Sequence, residues 1–240
     1  MHLSKITLLS EEYPTDRYYP FNLAIFHETR SLVFTTPVTF FVGENGTGKS
    51  TLLEAITQAG EIHIWRNPDG MRYERNPYEK AMRYFVKLSW VNGRAPGSYF
   101  SSDTYRYFSH VVDEWAVSES SQLNYFGGKS LVTQSHGQSL MAYFRSRYKI
   151  RGLYMLDEPE TALSPRSQLE LLQLLQEMSA AGHAQFIIAS HSPILLACPG
   201  ATIFSFDHSP IQSIEYEETD YYKIYHDFMT QREKYLPNSE

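Results

Sequence analysis

Four short clusters in this sequence carry residue types at spacings that could do chemistry. The first is Gly43-Glu44-Asn45-Gly46-Thr47-Gly48-Lys49-Ser50, followed by Thr51. Its glycines let the backbone turn so that N–H groups face inward and form a nest for an anion. The run lies directly after the apolar residues Val38 to Val42 and directly before a helix-forming segment. The amino end of that helix adds a favourable partial positive charge. The eight positions fit G-x-x-x-x-G-K-[ST], the phosphate-binding loop. Gly43, Glu44, Asn45, Gly46, Thr47, Gly48 and Thr51 are expected to surround the phosphates of a nucleotide. Lys49 is expected to reach the β- and γ-phosphates, and the Ser50 hydroxyl to ligate magnesium. The loop alone does not separate ATP from GTP, or a kinase from a hydrolase.

The second cluster ends an apolar run: Leu153-Tyr154-Met155-Leu156 is followed by Asp157-Glu158-Pro159-Glu160. In open α/β sheets the chemistry sits at the carboxyl ends of strands. Asp157 is expected to hold the magnesium, and Glu158 to polarise an attacking water as general base. A kinase has no water to position, so the adjacent carboxylates favour hydrolysis.

The third and fourth clusters are Ser135-His136-Gly137-Gln138 and Ser190-His191-Ser192. Gly137 lies 20 residues before Asp157 (157 minus 137), and His191 lies 33 after Glu158 (191 minus 158). In order and spacing the four clusters resemble the ABC-type ATPases, including their SMC-like and Rad50-like members. More narrowly, the chain looks like small bacterial ATPases labelled AAA whose signature reads Ser-His-Gly-Glu or Ser-His-Gly-Gln. The likeness runs from roughly Pro20 to Tyr225.

That resemblance implies a site shared between two subunits. Ser135, Gly137 and Gln138 would cap the γ-phosphate of ATP held by the loop of a second copy, in a homodimer that closes on ATP. The chemistry suits it: a hydroxyl donor, a glycine permitting close approach, and the start of a helix. His191 would be the switch histidine, contacting the γ-phosphate and the water. His136 stands where the usual signature has its first glycine. The family's lid glutamine has no obvious counterpart; Asp103 is the best polar candidate, and Gln122 lies too near the signature. Ser164 occupies the position where many transporters carry an aspartate, and reads as a helix cap. Tyr18 or Tyr19 could stack on adenine, or belong to an ordinary packed turn with Pro20 and Phe21.

These clusters need a scaffold. Residues 31–43 read as strand broken at Pro37, and Lys49 to Gln58 as helix. Glu61 to Lys80 reads as loop. Residues 82–91 read as a strand, with Asn92-Gly93 as a hairpin turn and a return strand beginning at Tyr99. A helix is expected over 103–118, with Tyr107, Val111, Val112 and Trp115 at helical spacing. Another is expected over 139–148, after the glycine pair Gly127-Gly128. Ser164-Pro165 starts a helix with an apolar stripe of Leu169, Leu172, Leu175 and Met178, ended by Gly182. Phe186 to Ala189 and Ile203 to Phe206 read as strands, and 220–236 as an amphipathic helix. The fold class is therefore α/β: a P-loop NTPase with a mostly parallel central sheet, an antiparallel β portion and a small helical lobe, roughly 101–150, bearing the signature. Residues 1–240 are expected to form one ABC-type ATPase domain.

Bulk properties narrow the function further. A chain of 240 residues with 42% hydrophobic and 20% charged residues is ordinary for a globular protein. A net charge of −6 excludes a general polyanion binder. One cysteine, Cys198, permits no internal disulfide and fits a reducing cytoplasm. The amino-terminal stretch lacks a signal-peptide pattern, and no run approaches the roughly 18 apolar residues of a membrane span. The eight histidines other than His191 are scattered and show no metal-ligand spacing. Two stretches interleave basic and aromatic residues: Trp65, Arg66, Arg72, Tyr73, Arg75, Tyr78, Lys80, Arg83 and Tyr84, then Arg145, Arg147, Tyr148, Lys149 and Arg151. Each is a solvated face or a nucleic-acid contact.

The leading expectation is magnesium-dependent ATP hydrolysis by an ATP-sandwiched dimer acting as a conformational switch on an unidentified protein partner. The alternatives are the ATP-binding subunit of a membrane transporter, and an ATP-dependent sensor for a nuclease, toxin or DNA. Only 84 residues separate Lys49 from Thr133 (133 minus 49), too few for a long coiled-coil arm.

Overall fold

The structure is a computed structural model that describes residues 1–65, 76–118, 130–132 and 136–236, the side chains of 117, 118 and 136 excepted. Two sheets organise it. The larger joins β3 (Val38–Val42), β5 (Gly97–Phe100), β6 (Gly152–Asp157), β7 (Ala184–Ala189), β8 (Thr202–Ser205) and β9 (Gln212–Ile214) in the order β5-β6-β7-β3-β8-β9. All its neighbours are parallel except β8 and β9. The smaller sheet is antiparallel, with β1 (Leu3–Leu8) between β2 (Ser31–Val33) and β4 (Val86–Trp90). The expected α/β class, mostly parallel with an antiparallel portion, is the one observed.

The central strands are apolar at nearly every position because both faces of the large sheet are covered. Alternation then splits each strand between two cores. Phe41, Leu153, Met155, Ile187 and Ala189 face one, with the antiparallel sheet and α2 (Lys49–Ala59). Val38, Phe40, Val42, Tyr154, Leu156, Phe186 and Ile188 face the other, with α4 (His136–Arg147), α5 (Pro165–Ala180) and α6 (Pro193–Leu196). Each fully buried side chain of this size stabilises the fold by about 1.5–3 kcal/mol. The two sheets are tied by a buried polar residue. The Gln185 side chain on β7 accepts from His2 N and Leu3 N at 2.6 and 2.8 Å and donates to Leu3 O at 2.9 Å.

Several expectations change. Asn92-Gly93 is not a hairpin turn: β4 pairs with β1, whereas β5 pairs with β6 in the other sheet. Tyr99 and Phe100 enter opposite cores, so β5 needs cover on both faces, which a half-exposed hairpin does not give. The strand is also shorter than 82–91, because Ala81–Phe85 is a 3₁₀ turn and Tyr84 is exposed. Strand β1 went unread because a register shift between Leu3 and Lys5 puts Leu3 and Ile6, three apart, in one core.

Helix faces also move. On α5 the buried residues are Leu171, Leu174 and Leu175, while Leu169 is exposed. On α3 (Ser102–Ser118) Tyr105 and Val112 are buried and Trp115 is exposed. There Tyr105 and Phe108 pack on Tyr143 of α4. The carboxyl-terminal helix, α7, is shorter than 220–236. It spans Asp220–Thr230, followed by a 3₁₀ turn at Arg232–Lys234. Its remaining short companion is α1 (Ala24–Glu28), which packs Ile25 and Phe26 into the first core.

Candidate functional site

The phosphate loop runs from the end of β3 to the start of α2, at the carboxyl edge of the large sheet. Gly48 caps α2 in the left-handed region, with φ of 102°. A Cβ there would lie 2.6 Å from Cζ of Phe26. Both the backbone and the space therefore demand glycine. Gly48→Ala is expected to cost about 2–4 kcal/mol, combining left-handed strain with a core clash. The fall in urea midpoint at unchanged m-value measures it; an unshifted midpoint would contradict this packing.

Lys49 is buried, and its ammonium donates to Gly43 O at 2.6 Å and Glu44 O at 2.7 Å. Burial lowers its pKa, opposed by the attraction of Glu158, Asp207, Asp157 and Glu44. The loop is braced from the segment just after β8: Asp207 Oδ1 accepts from Glu44 N at 2.7 Å. Thr51 contacts the Tyr19 hydroxyl across the mouth of the loop.

Ser50 and Asp157, 107 positions apart in the chain, meet at the loop's end, where Ser50 Oγ donates to Asp157 Oδ1 at 2.8 Å. Tyr99 donates to the other oxygen, Oδ2, at 2.9 Å. Burial raises the Asp157 pKa to about 6, against the lowering effect of those two hydroxyls. A hydroxyl beside a desolvated carboxylate is a hard oxygen donor set, and it fits magnesium, which binds through few protein ligands together with phosphate and water. Among the described residues there is no cluster of three or more His, Cys, Asp or Glu that could hold a metal alone.

Glu158 follows in the left-handed region, with φ of 47° and ψ of 54°. That conformation is unusual for a side chain with a Cβ, and its N–H is anchored on Ala189 O at 2.9 Å. Its Oε1 lies 3.2 Å from Nε2 of His191. The backbone N–H of His191 donates to Oε1 of Glu160. The other ring nitrogen, Nδ1, contacts the hydroxyl of Tyr221 on α7. Burial lowers the His191 pKa, with Lys49 acting in the same direction. Burial also raises the Glu160 pKa.

The signature segment divides. Ser135 lies outside the described residues. His136, Gly137 and Gln138 form the first turn of α4, so the helix begins three residues earlier than its expected start at 139. A Cβ at Gly137 would find Ser167 Oγ at 3.8 Å and Ala162 O at 3.9 Å, ordinary van der Waals contact without a clash. Glycine costs a helix roughly 1 kcal/mol relative to alanine. Nothing in the surrounding described chain requires that cost.

The remaining candidates are placed as follows. Asp103, on the first turn of α3, joins Ser50, Tyr99, Ser101 and Asp157 in the lining of a cavity of about 680 Å³. Tyr19 lines the same cavity, and both Tyr18 and Tyr19 are exposed. Ser164 caps α5, accepting from Ser167 N at 3.3 Å. Cys198 is buried and its thiol is pushed up to about 11, the behaviour of a packing residue. In the second basic stretch Tyr148 is buried, Arg145 pairs with Glu170 at 3.0 Å and Arg147 donates to Gly97 O at 2.9 Å. Those three are occupied within the fold. Of the first stretch, Arg66, Arg72, Tyr73 and Arg75 lie outside the described residues, as do Gln122, Gly127 and Gly128.

Sequence reading missed Tyr99, Glu160, Asp207 and Tyr221 as neighbours of the site. Glu160 was within reach, since it belongs to the same acidic run as Asp157 and Glu158. The other three are remote in sequence, and only the packing of β5, β8 and α7 brings them in.

Comparison with known proteins fits this geometry. A family model described as an AAA domain matches residues 21–88. A second, described as "AAA domain, putative AbiEii toxin, Type IV TA system", matches residues 139–197. The two segments contain the phosphate loop in one case, and Asp157, Glu158 and His191 in the other. The chain is 22% identical over 213 residues to the "Putative HMP/thiamine import ATP-binding protein YkoD" of Bacillus subtilis (strain 168), covering 81% of this chain and 38% of that protein. It thus spans well under half the length of that relative. It is 27% identical over 161 residues to the thiamine import ATP-binding protein ThiQ of Ruegeria sp. (strain TM1040), covering 63% of this chain and 69% of that one. Among solved structures, cbiO1 from Clostridium perfringens, part of the ABC transporter complex cbiONQ, superposes with a TM-score of 0.53 at 16% identity over 98% of both chains. MJ1267, an ATP-binding cassette of an ABC transporter, gives 0.50 at 15% identity over 99% of this chain and 100% of that one. At such identities the likeness is one of fold: this chain has the α/β P-loop fold of ABC-type ATP-binding subunits.

Proposed function

We propose that this chain hydrolyses ATP with magnesium at a site completed by a second copy, and that closure and opening of the pair act as a switch on a protein partner. The observation that carries the reading is the convergence of Lys49, the Ser50–Asp157 pair and the Glu158–His191 pair at the carboxyl edge of the large sheet, after β3, β6 and β7. Lys49 exchanges its two carbonyl partners for the β- and γ-phosphates. Ser50 and Asp157 would hold the magnesium, which would supply neutralisation of the charge on the phosphate oxygens. Glu158 draws a proton from water as its oxygen attacks the γ-phosphorus; the bond from that phosphorus to the bridging oxygen breaks, and ADP leaves. His191 sits beside Glu158 to contact the γ-phosphate. Gly137 in the first turn of α4 supports the second half of the reading, because no clash there demands glycine, whereas close approach of an anion to a helix start does.

A complementation experiment tests the shared site. Lys49→Ala and Gly137→Asp should each abolish phosphate release from ATP. In the mixed dimer one site keeps both Lys49 and Gly137, so an equal mixture should recover roughly a quarter of the wild-type rate. Chelation of magnesium should remove it again. A mixture as inactive as its components would reject the shared site, and full activity of Gly137→Asp alone would reject the role of the signature turn.

A second reading is favoured by the curated relatives, which are ATP-binding proteins of import systems. In it, the same chemistry drives an integral-membrane partner. Among the described residues no helix is long and apolar enough to cross a membrane, so that partner would supply the span. Recovery of the chain with an integral-membrane protein would favour this reading over the freestanding switch.

A further inference from the structure

We infer that Tyr221, on α7, is a positioning residue for His191: its hydroxyl donates to Nδ1 and so holds the imidazole as the tautomer that carries its proton on Nε2. The inference rests on the hydrolytic reading for its consequence, but the tautomer itself follows from local geometry. Three acceptors and one hydroxyl proton meet here. A neutral imidazole has one N–H and one lone pair, and an ionised carboxylate only accepts. Nε2 faces Oε1 of Glu158 at 3.2 Å, so the ring proton belongs on Nε2. Nδ1 is then an acceptor, and the group beside it is the Tyr221 hydroxyl.

Among the described residues that hydroxyl has one other acceptor in range, Gly43 O at 3.2 Å. Gly43 O is already supplied by the ammonium of Lys49 at 2.6 Å. Assigning the Tyr221 proton to Nδ1 therefore gives every group a partner, whereas the opposite assignment sets the Nε2 lone pair against a carboxylate. Both rings are also held: they meet edge to face with centroids 5.0 Å apart, and the start of α7 is fixed by buried Thr219, whose hydroxyl accepts from Tyr222 N at 3.2 Å. Burial supports the same assignment, since it lowers the His191 pKa and raises that of Tyr221 to about 12, keeping the ring neutral and the phenol protonated.

The consequence is functional. An Nε2–H is what His191 needs to donate to a γ-phosphate oxygen when nucleotide enters, and the orientation of such a histidine is set by whatever binds its other nitrogen. Tyr221 thus links the carboxyl-terminal helix, the phosphate loop and the histidine in one contact set.

The test is the imidazole ¹⁵N spectrum of histidine-labelled protein, with His191 assigned by loss of its signals in His191→Gln. Wild type should show His191 as one tautomer, protonated on Nε2, with Nδ1 at the position of a hydrogen-bonded acceptor. In Tyr221→Phe the Nδ1 resonance should move to that of a free lone pair. Turnover should fall roughly tenfold in kcat with KM unchanged, the usual size for loss of a ligand-orienting partner. Tyr222→Phe, whose ring packs on Tyr216 and His226, should change neither reading. A wild-type proton on Nδ1, or an unmoved Nδ1 resonance in Tyr221→Phe, overturns the inference. The spectra need no ATP. A protein that hydrolyses none would end the proposed function, while the spectra would still decide the tautomer.

Discussion

Glu158→Gln is expected to lower ATP turnover by about 10²–10⁴-fold while leaving ATP bound, so that a nucleotide-loaded dimer accumulates. The substitution keeps the side chain's size and its acceptor oxygen beside Nε2 of His191, 3.2 Å away in the parent. It keeps the left-handed backbone as well, which Glu158 already adopts at φ of 47° and which its N–H bond to Ala189 O sustains. Only the capacity to take a proton from water is removed. The groups assigned to the phosphates and to magnesium, Lys49, Ser50 and Asp157, are untouched. Binding and chemistry should therefore separate: single-turnover phosphate release slows, whereas retention of labelled ATP and the dimer mass by light scattering both rise with magnesium and ATP. Turnover equal to wild type would remove Glu158 as the base.

Lys49→Ala has the other large expected effect, and it falls on binding. Lys49 is 4% exposed, so its ammonium is held in place by burial rather than by solvent. Its partners are the two loop carbonyls of Gly43 and Glu44, at 2.6 and 2.7 Å. The ammonium already charge-assists its bonds to the carbonyls, and phosphate oxygens add a full opposite charge on the acceptor side; hydrogen bonds to charged groups contribute about 1.5–3 kcal/mol each. Two such bonds to the β- and γ-phosphates correspond to a loss of at least about 3 kcal/mol, roughly a hundredfold in Kd. Titration with a fluorescent ATP analogue measures it, with circular dichroism confirming that the variant is folded. A Kd within threefold of wild type would mean that the loop does not hold triphosphate in the way assigned.

Both predictions concern residues that the sequence alone singled out, and the reason is physical. A phosphate-binding loop is a local object: glycine spacing, the preceding strand and the following helix are contiguous, so residues 43–51 declare it without knowledge of the fold. The acidic run 157–160 is legible for the same reason, as an apolar strand that ends in charge. The parallel core strands are equally plain, because burial on both faces leaves them continuous runs of apolar residues.

What the sequence could not supply were relations between distant segments. The turn at Asn92-Gly93 looks like a hairpin locally, yet β4 and β5 diverge to different sheets because Tyr99 and Phe100 need apolar cover on opposite sides. Strand β1 hides behind its register shift. The apolar stripe on α5 turns by a few residues, since the second core accepts Leu171 and Leu174 and leaves Leu169 in solvent. Tyr99 on Asp157, Asp207 on the loop and Tyr221 on His191 are each a single side chain with no local pattern. The sequence by itself determined which atoms could bind phosphate, ligate magnesium and accept a proton, because those capacities reside in residue types and short spacings. Tertiary structure alone decided which hydroxyls and carboxylates orient them, because orientation depends on where separate strands and helices come to rest against two shared cores.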